Sequence, residues 1–79
     1  MNIKDRVAIR IRTLREGKKL TQEQLAWKSE VDRTFMNQVE NGRRNISIET
    51  LEKILNGLDV GLRDFFADDS FQIIKAERK

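Results

Sequence analysis

The chain contains no cysteine, no histidine and no proline. Without cysteine there are no disulfides, thiolate metal ligands or thiol nucleophiles, and without histidine there is no imidazole to act as base or ligand near neutral pH. Acid–base chemistry would fall to carboxylates alone, and the adjacent Asp68 and Asp69 read as a solvated turn rather than a paired acid and base. A glycine-rich phosphate loop is missing too. No catalytic residue, metal ligand, cofactor or small-molecule ligand is therefore expected. No apolar stretch approaches the ~20 residues a spanning helix needs, and no secretory pattern is visible, so the expectation is a cytoplasmic protein without membrane contact. Lack of proline, with glycine only at Gly17, Gly42, Gly57 and Gly61, leaves helices little obstructed.

What is present points the same way. Seventy-nine residues suggest a single small domain over 1–79 whose modest core favours oligomerisation. The net charge is only +3, but its distribution is uneven. Residues 1–44 hold 11 basic and 6 acidic side chains (+5), whereas residues 45–79 hold 5 and 7 (−2). The front of the chain is the candidate polyanion-facing part, with plain solubilisation of helix surfaces as the alternative.

Ile3, Val7, Ile11 and Leu14 recur at helical steps and define an apolar stripe, with Ile9 off it. The next four helix starts repeat one device, a cap preceded by an apolar residue that staples to another four or five positions on. Thr21 pairs with Gln24 in a capping box, flanked by Leu20 and Leu25. Asp32 is flanked by Val31 and Met36, Ser47 by Ile46 and Leu51, and Gly61 by Val60 and Phe65. These signals predict five helices, at about 3–16, 22–29, 33–41, 48–57 and 62–67. Beyond them Ser70 or Asp69 could cap a further turn, and Phe71, Ile73 and Ile74 would need burial. Leu58, Leu62, Phe65 and Phe66 read as core, and Trp27 as a partly buried packing residue. The fold class is all-α, a compact five-helix bundle.

Helices two and three are separated only by Ser29-Glu30-Val31, so they must cross steeply, which is the helix-turn-helix arrangement. Leu25, Ala26, Val31, Met36 and Val39 would face inward, leaving Arg33, Thr34, Asn37 and Gln38 outward on the second helix. Such side chains suit the base edges of a major groove wide enough to admit a helix.

The stretch Leu20-Thr21-Gln22-Glu23-Gln24-Leu25-Ala26, followed by Val39-Glu40-Asn41-Gly42-Arg43-Arg44, resembles the Xre/Cro-type helix-turn-helix family of phage repressors and bacterial regulators. The resemblance covers roughly residues 7–66, two separated motifs in the right order and at the right distance. Ala26-Trp27-Lys28-Ser29, Asp32-Arg33-Thr34-Phe35-Met36 and Arg44-Asn45-Ile46-Ser47 are most similar to the controller proteins of restriction–modification systems.

The resemblance implies a lambda-repressor-like DNA-binding domain with its recognition helix at about 33–41. Arg33 and Thr34 would read bases, with Asn37 and Gln38 one turn on; for Asn37 the groove edge is the alternative. Gln22 would hold a DNA phosphate, Phe35 would meet a thymine methyl or a sugar, and Asn41, Arg43, Arg44 and Asn45 would clamp the backbone. Arg15 and Glu40 would form an internal salt bridge. The fifth helix, through Leu62, Phe65 or Phe66, would make the dimer contact, joined by the tail to residue 79 or by Ile9. The implied partners are double-stranded DNA, a second copy of the chain and RNA polymerase, and the implied place is the bacterial or phage nucleoid. Controllers act as homodimers on pseudo-palindromic operators, both activating and repressing.

Three departures from the family pattern stand out. Lys19 occupies a position where relatives place glycine and would be strained at positive φ. Asp59 replaces a glycine after helix four, and Gly61 replaces a serine cap. The competing functions are a phage-type repressor or antitoxin of the same fold, or a protein-interaction module without specific DNA binding.

Overall fold

The structure, a computed structural model, describes residues 1–72. Among these are five α-helices, α1 (Ile3–Gly17), α2 (Gln22–Ser29), α3 (Arg33–Glu40), α4 (Ile48–Leu58) and α5 (Leu62–Phe66), and a 3-10 turn at Asp69–Phe71. The helices fall within one or two residues of the sequence expectation. Ile73 and Ile74 lie outside the described residues. No helix among the described residues is long and apolar enough to cross a membrane.

The caps explain the agreement. Thr21 and Gln24 form both halves of the capping box, Asp32 Oδ2 accepts from the backbone N–H groups of Thr34 and Phe35, and Ser47 Oγ accepts from Thr50 N–H. Gly61, with no side chain to offer, caps nothing. A device not foreseen opens α1, where Asn2 Oδ1 accepts from Asp5 N–H at 3.0 Å.

The helix ends share one closure. Leu20 N–H donates to Arg15 O, Val31 to Ala26 O, Arg43 to Gln38 O and Val60 to Leu55 O, each within 3.1 Å. This six-residue back-bond requires a left-handed residue just before the donor. Those residues are Lys19, Glu30, Gly42 and Asp59, with φ between 59° and 71°. Glycine fills the position once; at Gly42 an added Cβ would also press within 2.6 Å of Asp5 Oδ1. Leu20, Val31 and Val60 then turn back onto the core. The same residue therefore closes one helix and staples the next, which is why links of three or four residues suffice there.

The core is Ile11, Leu25, Ala26, Met36, Val39, Leu51, Ile54, Leu55, Leu58 and Phe65. α4 lies across α2, and the crossing is close because Gly57 faces Ser29 and Leu25. The Ser29 hydroxyl is buried there and, among the described residues, has no hydrogen-bond partner.

Three expectations need correction. Trp27 is 81% exposed rather than partly buried, because Leu25, Ala26 and Ser29 define the inner face of α2 and Trp27 projects from the other side. Leu62 and Phe66, expected in the core, are 43% and 41% exposed. They sit four residues apart on one face of a five-residue helix whose inward position is Phe65. The C-terminal turn is capped by Asp68 rather than by Asp69 or Ser70. The Ser70 hydroxyl and N–H both donate to Asp68, and with the nearby Arg10 guanidinium they hold its carboxyl below the ordinary value. Arg10 also donates to the carbonyls of Asp64 and Phe65, satisfying the open end of α5 from α1. Phe71, as expected, finds cover, packing on the rings of Phe65 and Phe66.

Two stability predictions follow from the geometry. Gly57→Ala gains about 1 kcal/mol of helix propensity but overpacks Ser29 at a cost of about 1–3 kcal/mol. Chemical denaturation should show a net loss, recovered when Ser29→Ala is added. Lys19→Gly relieves a left-handed lysine and should raise stability by about 0.5–1 kcal/mol after glycine's entropic cost; a lower denaturation midpoint would contradict it.

Candidate nucleic-acid interface

α3 buries Met36, Val39 and Glu40, leaves Phe35, packed against the core, and Gln38 half-buried, and turns Arg33, Thr34 and Asn37 outward. Its only carboxylate, Glu40, is thereby removed from the outer face, which is left polar and basic. Arg15 of α1 donates to Glu40 through Nε at 2.7 Å and Nη2 at 3.0 Å, a bidentate pair. The remaining guanidinium arm, Nη1, donates to Leu20 O at 2.7 Å. One arginine thus ties α1, the turn into α2, and the end of α3.

The outward residues fall into three groups. Arg33 and Thr34 are exposed at the start of α3, and Arg43 and Asn45 in the loop after it; among the described residues their side chains make no hydrogen bond within the chain. Gln38, Phe35 and Arg44 form a second group. Arg44 Nε donates to Gln38 Oε1 at 2.8 Å, and its guanidinium lies 5.1 Å from the centre of the Phe35 ring. That contact orders a loop arginine beside α3 and turns the amide nitrogen of Gln38 away from it. Gln22, Asn37 and Asn41 form the third. Gln22 Nε2 donates to Glu40 Oε1, Asn37 Nδ2 donates to Gln22 Oε1, and Asn41 Nδ2 donates to Asn37 Oδ1, all between 3.1 and 3.2 Å.

All ten side chains marked for base or backbone contact therefore lie on α3, the N-terminus of α2 or the loop after α3. The hydrogen bonds among five of them, and the Arg44–Phe35 contact, carry almost no signal in the sequence. The Asn37–Asn41 pair carried a signal, since residues four apart on a helix are neighbours. The Gln22–Asn37 and Gln38–Arg44 pairs carried none. Arg10, which holds α5 in place, was likewise missed.

At α5, Phe65 is fully buried, whereas Leu62 and Phe66, and Ile48 at the start of α4 (80% exposed), are open. Ile3, Val7, Ile46, Ile48 and Phe66 line one shallow hollow, which Arg44 and Asn45 of the loop after α3 border.

The helix-turn-helix family model, HTH_3, matches residues 11–65. Control protein C.MunI of Mycoplasma sp is 41% identical over 68 residues, which cover 85% of this chain and 92% of that protein. The restriction–modification controller protein C.Esp1396I, solved as a tetramer in complex with its natural 35 base-pair operator, superposes with a TM-score of 0.81 at 39% identity, over 84% of this chain and 87% of that one. The controller protein C.AhdI from Aeromonas hydrophila superposes at 0.76 with 38% identity, over 80% of this chain and 96% of that one. The chain belongs to the helix-turn-helix family, in the group of restriction–modification controller proteins.

Proposed function

We propose that this chain is a homodimeric, sequence-specific regulator of transcription that inserts α3 into the major groove of a pseudo-palindromic operator and both activates and represses a restriction–modification system. The observation that carries the reading is Arg33 and Thr34, exposed at the start of a helix whose single acid is turned inward and, among the described residues, without a side-chain hydrogen bond. It is supported by the shared fold with C.Esp1396I, which binds its operator as a tetramer.

In this reading Arg33 donates to guanine O6 and N7, and Thr34 reads the neighbouring step. Asn37 and Gln38 reach bases one turn on, and Phe35 covers a thymine methyl or sugar. Gln22, Asn41, Arg43, Arg44 and Asn45 hold the strands on either side. Residues 1–79 act as a single unit, with α5 and the tail to residue 79 forming the dimer contact. Leu62 and Phe66, the latter sharing a hollow with exposed Ile48, supply the apolar face, and the fully buried Phe65 anchors α5 from within. Dimerisation also has a physical motive, because one short helix reads too few base pairs to stand out in a genome. Two copies would place their α3 helices roughly 34 Å apart, one turn of duplex. Activation further requires contact with RNA polymerase at the promoter, within the nucleoid of the host.

Footprinting on the operator should show two major-groove patches one helical turn apart, occupied by two chains per site; a chain that stays monomeric on DNA at micromolar concentration contradicts the dimer. Arg33→Ala should cost about 1–3 kcal/mol on operator and relax preference at one base position. Equal loss on random DNA would remove Arg33 from the readers. Arg43→Ala should weaken binding to all sequences alike and reduce the salt slope by about one; an unchanged slope would remove Arg43 from the phosphate contacts.

A further inference from the structure

The Glu40 side chain is wholly buried and, as a carboxylate, can only accept hydrogen bonds. Two of its partners are arginine N–H groups; the third is Gln22 Nε2 at 3.1 Å. A primary amide is nearly symmetric in shape, so packing alone does not decide which end faces where. Here the charge decides. The NH2 of Gln22 must face Glu40, which turns its oxygen toward α3. That oxygen accepts from Asn37 Nδ2, and the Asn37 oxygen accepts in turn from Asn41 Nδ2. Three consecutive amides are oriented in one sense from a single buried charge.

We propose that Glu40 is a positioning residue for DNA reading, which sets the amide polarity of Gln22, Asn37 and Asn41 through this relay. The proposal rests on α3 being the reading helix. Each NH2 in the series spends one N–H inside the relay and keeps the other. Gln22 and Asn37 therefore offer donors to phosphate oxygens and to purine acceptors in the groove. The reversed orientation would set an amide oxygen against a phosphate oxygen. The relay also couples the grip of α2 on the strand to the register of α3.

The test is a double-mutant cycle on the affinity for a duplex selected by the wild-type chain, with Gln22→Ala made in the wild-type and Glu40→Gln backgrounds. Glutamine at position 40 can donate or accept, so it no longer orients Gln22. Gln22→Ala is expected to lower affinity about tenfold in the wild type and less than about twofold in the Glu40→Gln background. Because a neutral partner leaves Arg15 buried and charged, the joint exchange Arg15→Met with Glu40→Leu serves as a second background that removes both charges together. The Gln22→Ala effect must shrink there as well. In the free protein, the side-chain amide protons of Gln22 and Asn37 should exchange with solvent more slowly in the wild type than in either variant. An undiminished Gln22→Ala effect in either background, or amide exchange unaltered by them, overturns the positioning role and leaves α3 as the reader. Failure of the wild type itself to distinguish selected from random duplex overturns both.

Discussion

The buried contact between Arg15 and Glu40 fixes where α3 lies, and most of the outer surface takes its arrangement from it. Glu40 is enclosed at the end of α3, and Arg15 reaches it from α1 while also holding Leu20 O at the start of the turn into α2. Removing two charges from water is costly, and such a pair adds little net stability compared with apolar residues of the same volume. Removing one partner alone is different, since it strands a buried charge at about 3–5 kcal/mol. The pair therefore favours one placement of α3 over its alternatives rather than tightening the fold as a whole. It also clears the acid from the outer face, leaving Arg33, Arg43 and Arg44 as the charges a polyanion would meet.

Helices of eight residues are too short to persist alone. α2 and α3 survive because every end is fastened: by a side-chain cap at the start, by a left-handed closure at the finish, and, at both ends of α2 and the start of α3, by an apolar residue that serves both neighbours. The cost of this compactness is visible at Lys19, Glu30 and Asp59, all held at positive φ without being glycine. The Gly57–Ser29 crossing is the other place where economy of space shows, with a hydroxyl buried and, among the described residues, without a partner where α4 lies close on α2. Both features lie away from the outer face of α3.

Much of this was legible in the sequence because the governing signals are local. Caps, staples and the apolar stripe need only a few neighbouring residues, so the helices fell where expected. The strain at Lys19 and the left-handed Asp59 could be read from glycine positions in the related pattern; Glu30 could not, since nothing about glutamate advertises that conformation. Arg15 and Glu40, 25 residues apart, were paired only through family resemblance. The amide relay and the Gln38–Arg44 contact depend on how α2, α3 and the following loop meet in space, which no spacing rule encodes. Trp27, Leu62 and Phe66 were misjudged for the opposite reason: their apolar character was taken as a sign of burial, whereas helix phase placed them outward. At α5 the exposure of that pair agrees with the dimer contact that the family resemblance already implied for it.

The central claim is that the outer face of α3 discriminates between base sequences. The most direct measurement is the ratio of equilibrium affinities of the purified chain, at one fixed salt concentration, for a duplex enriched from a random library and for bulk genomic fragments. The account predicts a ratio of about a thousandfold or more. A ratio near one would mean that the basic residues bind the strands without reading them, and would contradict it.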